Sequence, residues 1–195
     1  MNARIHTLAA LTTLAFASVT TASAQEETLP PPRFALSASA GASLPTGDLK
    51  NEYNSGLLLA AQANYDFTRH LGLLGRFDWT NPSNKLVDTD THSKIYQGDL
   101  GLEYGGARGN TKKWALRPFA DLGGGVRRYD YSSTELNSHT SGVVFAGLGT
   151  DVAVGRSAIR LAATDNIIGY KAPTADATSS TRNEVGLSLG FGFHP

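Results

Sequence analysis

The sequence contains no cysteine, which excludes disulfides, a thiol nucleophile and a thiolate metal site. Neither charge is in excess: 17 basic and 17 acidic side chains cancel over 195 residues. No basic footprint therefore points to nucleic acid. Beyond Ala24 no apolar run approaches the ~20 residues that a membrane-spanning helix needs; the longest is Leu57 to Ala61. The mean hydropathy of −0.20 and the charged fraction of 17% have the look of a soluble chain. Together these absences exclude a helical membrane protein, but they leave a barrel open.

What is present begins with a leader. Arg4 supplies a positive start, Leu8 to Val19 an apolar stretch, and Ala22-Ser23-Ala24 a small-residue cleavage site, so residues 1–24 read as a secretory signal peptide. The apolar stretch is too short to span a bilayer, and no Cys follows it to take a lipid. Residues 25–33, with Pro30-Pro31-Pro32, form a stiff periplasmic lead-in. An exported chain of this kind meets a membrane only through strands.

From Phe34 onward the sequence alternates with period two, the strand signature. Eight segments carry it: Phe34–Leu44, Gly56–Phe67, Leu71–Trp79, Lys94–Tyr104, Trp114–Arg128, Gly142–Val154, Ala158–Asp165 and Arg182–Phe193. Each is close to the length of a tilted membrane-spanning strand. The connections alternate too. Residues 45–55, 80–93, 129–141 and 166–181 are long and polar, whereas 68–70 and 155–157 are tight. Short turns at one end and long loops at the other predict an all-β, eight-stranded antiparallel up-and-down transmembrane β-barrel over residues 34–193. The link 105–113 is longer than that pattern expects.

Alternation does not by itself say which face points outward. Three features place the apolar face outside. Glycines crowd the polar face, at 101, 123, 125, 147 and 149 among others, as suits a narrow lumen filled by a few long side chains. The same face carries Asp66, Asp78, Asp99, Glu103, Asp121, Asp151 and Glu184 against Arg76, Arg117, Arg127, Arg160 and Arg182. Every base is Arg and none is Lys, and the planar guanidinium suits enclosed, multiply bonded pairs. These residues are expected to form a lumen ion-pair network, with Glu103–Arg117 and Asp151–Arg160 flanking short-side connections. Finally, aromatics sit at the ends of the apolar face. Phe34, Tyr65, Phe67, Tyr104, Trp114, Phe191 and Phe193 lie near the short turns, and Trp79 and Tyr96 near the long loops; these are the expected interfacial girdles.

At this point the chain resembles the outer-membrane β-barrel domain family, which includes the transmembrane domain of outer-membrane protein A and the small protein X barrels. Gly41-Ala42-Ser43-Leu44-Pro45-Thr46-Gly47-Asp48-Leu49 resembles the family's first strand and loop, and Arg117 to Val126 its Pro-aromatic, Gly-rich fifth strand. Val185 to Phe193 resembles the C-terminal signal read by the barrel-assembly machinery, with His194 and Pro195 added after the final Phe. The resemblance implies residence in the outer membrane of a Gram-negative-type cell after export, among outer-membrane lipids and lipopolysaccharide. It implies a monomer with a structural or surface-binding role and a ligand, if any, on the long loops. A narrow porin-like channel is the alternative, since this fold hosts several activities.

Enzyme chemistry finds little footing. His139-x-Ser141 resembles the His-x-Ser of the lipid A 3-O-deacylase, which pairs it with a Glu on the outer surface, but no Glu follows nearby. An omptin-like protease wants ten strands. Histidines 6, 70, 92, 139 and 194 are scattered without metal spacing, Asp88-x-Asp90 offers too few carboxylates for a cation site, and Gly123-Gly124-Gly125 precedes no helix that could cradle a phosphate. No catalytic, metal or cofactor site is expected.

Overall fold

The computed structural model describes residues 34–51, 53–83, 93–106, 111–131, 138–170 and 180–194. The expected leader and lead-in (1–33), His92 and Asp88-x-Asp90 lie outside the described residues. Eight strands follow one another: β1 (Phe34–Thr46), β2 (Gly56–Asp66), β3 (Leu71–Asn81), β4 (Ser93–Gly105), β5 (Thr111–Tyr131), β6 (His139–Gly155), β7 (Ser157–Tyr170) and β8 (Ser180–Phe193). Each pairs antiparallel with its neighbours, and β1 closes the barrel on β8 through Leu36↔Phe193 to Thr46↔Asn183. Closure removes both sheet edges, so the backbone groups of every strand find partners without water.

The barrel is inside out relative to a soluble one. Leu100, Trp114 and Leu122 are 67%, 70% and 62% exposed, whereas Glu103 and Arg127 are 1% and 2% exposed. The alternation therefore points leucines outward and charges inward along the strands. Charges turn outward at the long-loop ends of the strands, as at Lys94, Arg128 and Asp130, and also at Asp165. Asp165 shares its face with Leu161, Ala163 and Ile167, opposite Ala146 and Val185, and its Oδ1 has no hydrogen-bond partner among the described residues.

The strands run further than hydrophobic alternation alone predicts. β5 has 21 residues instead of stopping at Arg128, β6 begins at His139 rather than Gly142, and β7 continues to Tyr170 rather than ending at Asp165. The reason is backbone pairing that persists after the apolar rhythm fails: Ser93↔Tyr131, Tyr129↔His139 and Tyr170↔Ser180 extend the ladders beyond the lipid-facing band. His139 and Ser141 thus belong to a strand and not to a loop.

At the short-turn end β2 stops at Asp66. The turn is clamped by Phe67 and Thr68 N–H groups on the Leu71 carbonyl (3.2 and 3.1 Å) and by the Thr68 hydroxyl, which accepts from His70 and Leu71 N–H. Gly155 adopts φ +61° in the tight β6–β7 turn, a conformation that side-chain-bearing residues avoid. The longer β4–β5 link ends in a register shift between Thr111 and Ala115.

Candidate functional site

The lumen is where this fold concentrates chemistry. Glu103 on β4, Arg117 on β5, Asp151 on β6 and Arg160 on β7 all turn inward near the short-turn end. Arg117 donates to Glu103 Oε1 (2.7 Å) and Asp151 Oδ2 (2.9 Å). Arg160 donates to Glu103 Oε2 (2.5 Å) and approaches Asp151 at 3.3 Å. The four side chains thus form a closed ring in which each carboxylate serves both guanidiniums. Asn64 adds a hydrogen bond to Glu103 (3.1 Å) and Gln62 one to Asn64 (2.7 Å). The desolvation of each charge is offset only because nearly every lone pair and N–H is used.

A second tier lies toward the long-loop end. Arg76 donates to Asp99 (2.7 Å) and approaches Asp78 (3.1 Å), both from strands of its own sector. Arg127 reaches across the lumen from β5 to β8 and grips Glu184 with two parallel bonds of 3.0 and 2.8 Å, the fork geometry that sets Arg apart from Lys. Gln97 joins the two halves, accepting from Arg127 (2.6 Å) and donating to Asp99 (2.8 Å) and Asn166 (3.1 Å).

Between the tiers lie two rings whose lumen placement the alternation of Arg and carboxylates did not signal. Phe145 is fully buried with the Arg76 guanidinium 4.3 Å from its centroid, and Phe119 carries that of Arg160 at 3.7 Å. Such contacts gain strength where water is excluded. Gly101 and Gly123 make the notch for Phe145: a Cβ on either would come within 2.8 Å of the ring. Both Phe residues share strand parity with lumen glycines, and that parity is the signal by which they could have been found.

The remaining expected network members are placed differently. Asp121 is buried between the tiers, and its Oδ1 has no hydrogen-bond partner among the described residues. Asp66 sits at the foot of β2 beside Gly72. Arg182 turns to Asp48 (3.0 Å), on the 3-10 turn Gly47–Asn51 at the long-loop rim.

Above the upper tier the lumen changes character. Leu49, Tyr53, Ile95, Tyr129, Val143 and Ile168 pack into an apolar plug, with Tyr131 against its side. The Tyr53 and Tyr131 hydroxyls lie 3.0 Å apart. His139 stacks on Tyr129 (4.5 Å, 8°), and Ser141 is buried on the same inward face. His139-x-Ser141 is therefore turned into the lumen rather than onto the outer surface. Below the plug a cavity of about 30 Å³ remains, bordered by Ser37, Ser39, Ala60, Ala162 and Ser188 opposite the arginines. One water needs ~10–15 Å³, so that is room for about two or three.

A family model for the outer membrane protein beta-barrel domain matches residues 9–194. The chain belongs to this family. Among solved structures, Neisserial surface protein A (NspA) shares 17% identity at a TM-score of 0.63, with 83% of this chain and 97% of that one covered. OprG from Pseudomonas aeruginosa shares 14% identity at a TM-score of 0.51, covering 85% and 99%. Ail, the attachment invasion locus protein of Yersinia pestis, shares 16% at 0.50, covering 85% and 100%. At these identities the likeness is one of fold. No curated protein matches the chain.

In an outer-membrane barrel the outward leucines face lipid, and the short turns face the periplasm. Phe34, Tyr65, Phe67, Tyr104, Trp114, Phe191 and Phe193 are all exposed at the short-turn end. Trp79 and Tyr96 are half-buried and paired across β3 and β4 near the other end.

Proposed function

We propose that this protein is a closed, non-conducting barrel of the outer membrane whose work is done at its extracellular ends. It acts as a rigid monomeric scaffold for surface recognition and neither as a pore nor as an enzyme. The observation that carries the reading is the filled lumen: among the described residues, two tiers of Arg–carboxylate pairs and an apolar plug leave small voids, of about 30 Å³ beside the arginines and about 10 Å³ near Asn64 and Asp151. A permeating ion would have to part Arg127 from Glu184 and then pass Leu49, Ile95 and Ile168 without water. The inward turn of His139 and Ser141 speaks for the non-enzymatic reading, because neither side chain meets lipid.

In this reading residues 1–24 are removed on export, the outer wall contacts outer-membrane lipids and lipopolysaccharide, and the long loops hold any extracellular ligand. The C-terminal strand addresses the assembly machinery. There the His194 N–H bonds the Arg156 carbonyl (2.8 Å), so the residue after the terminal Phe is tied to the β6–β7 turn. The test is planar-bilayer recording of the refolded full chain. Wild type is expected to give no steady single-channel steps, and Arg127→Ala is expected to give rare, noisy openings. Steady unitary conductance in the wild type would overturn the closed-lumen reading.

A further inference from the structure

The outward charges at the long-loop ends sit among opposite charges: Arg128 holds Asp130 at 2.9 Å, and Lys94 stands opposite Asp130 in register. Asp165 has no such company. Its register partners on the outer wall are Ala146 of β6 and Val185 of β8, and its neighbours along β7 on that face are Ala163 and Ile167. The side chain is half-buried, and its Oδ1 is covered yet has no hydrogen-bond partner among the described residues. A carboxylate turned toward lipid costs stability, and an ionisable residue inside the membrane marks a site whose partner has to be found.

The wall beside it is shaped. The next outward pair toward the periplasm is Ala163 and Leu187, and there an open groove of about 660 Å³ is bordered by Ala40, Leu161, Ala163, Leu187 and Leu189. Ala40 and Ala163 are short among leucines, which leaves the hollow. The groove thus follows β7 and β8 upward, and the carboxylate stands one pair above its upper members.

Depth and hydrogen-bonding sense identify the occupant. Asp165 lies eight residues beyond Ser157, where β7 begins. At ~3.3 Å per residue along a strand tilted by ~40°, that is roughly 20 Å from the short-turn end. The apolar band of such a barrel is ~25 Å tall, so the carboxylate stands in its outer part, near the roots of the outer-leaflet chains. A carboxylate accepts hydrogen bonds and donates none. Ester-linked glycerophospholipids present only carbonyl acceptors at that depth, whereas an amide-linked, hydroxylated acyl chain presents N–H and O–H donors. We propose that Asp165 and the groove below it seat one such chain of lipid A, the membrane anchor of lipopolysaccharide. The chain lies in the groove, and the carboxylate accepts from the donor at its root. The assignment rests on the membrane orientation of the proposed scaffold and not on its closed lumen, so conductance and lipid retention fail separately.

The experiment uses the full chain refolded in phosphatidylcholine nanodiscs that contain equal amounts of monophosphoryl lipid A and phosphatidylglycerol, followed by native mass spectrometry of the retained lipids. Each probe carries a single phosphate, and the ester-linked chains of phosphatidylglycerol bring no donor. Wild type is expected to retain lipid A over phosphatidylglycerol by about tenfold, as one hydrogen bond to a charged group supplies. Asp165→Val, which matches the apolar wall, is expected to lose most of that preference. Asp165→Asn keeps an acceptor and is expected to fall between the two. Heat-modifiable gel migration checks that each variant is a folded barrel. Equal retention of the two lipids by wild type would overturn the proposal. So would a lipid A preference that survives Asp165→Val, which would assign it to the sugar headgroup at the long loops instead.

Discussion

The two ends of the lumen are closed by opposite chemistries. Toward the periplasm four strands contribute a ring of ions, Glu103, Arg117, Asp151 and Arg160, in which every contact is directional. Toward the outside, Ile95, Tyr129, Val143 and Ile168 from the walls meet Leu49 and Tyr53 from the first connection. The ionic ring has alternatives that are all costly, because a guanidinium without a carboxylate is left charged in a dry interior. The apolar plug has many nearly equivalent packings. A barrel can thus hold its register at one end and let its surface segments vary at the other. Evenly spaced charges along the whole lumen would give no such division.

The sharpest way to break this contrast is at Glu103. Replacing it by Ala leaves Arg117 and Arg160 sharing Asp151 alone, both more than nine-tenths buried. Loss of one partner from a buried ionic set costs about 3–5 kcal/mol. Equilibrium urea unfolding in lipid vesicles should show this as a fall in midpoint with an unchanged slope. Glu103→Gln should fall between wild type and Ala, because the amide oxygen still accepts an N–H. An unchanged midpoint for Glu103→Ala would mean that the ring is not what holds the periplasmic end.

At the other end the corresponding change is Ile168→Ala. Ile168 is fully buried in the plug, and removing its methyl and methylene groups costs about 2–5 kcal/mol in a rigid core. The lower end, about 2 kcal/mol, is expected here, because Leu49 and Tyr53 arrive on a connection that can settle into the space. A loss as large as that of Glu103→Ala would show the plug to be as rigid as the ring and erase the distinction.

The ionic end was far more legible in the sequence than the apolar one, for a physical reason. Period-two alternation is rigid, so Glu103 and Arg117 had to share a face, and tight connections had to bring their strands together. What parity could not give was which carboxylate each Arg would choose. Arg160 faces Asp151 in register, yet it also takes Glu103 three strands away, a choice made by barrel shear and side-chain length. The plug escaped because Ile95, Tyr129, Val143 and Ile168 are scattered apolar residues on largely polar faces of four strands. Each by itself looks like noise, and only closure of the barrel gathers them with Leu49 and Tyr53. Phe119 and Phe145 were hidden in the same way among glycines. The extra length of β5, β6 and β7 was hidden because backbone pairing continues where hydrophobic alternation has stopped.

The smallest expected effect lies at the plug's margin and tests how far ionic closure extends. Arg182 shares its strand face with Glu184, but it leaves the lumen network for Asp48 at 3.0 Å, on the turn that carries Leu49. The Asp48 side chain is 66% exposed, so solvent screens the pair and its coupling should be about 0–1 kcal/mol. A double-mutant cycle of Arg182→Gln and Asp48→Asn is expected to read a coupling in that range that fades in 0.5 M salt. A coupling well above 1 kcal/mol that survives salt would make the pair a clasp for the plug. The outer end would then owe its closure to charge as well, and the contrast between the two ends would be one of degree.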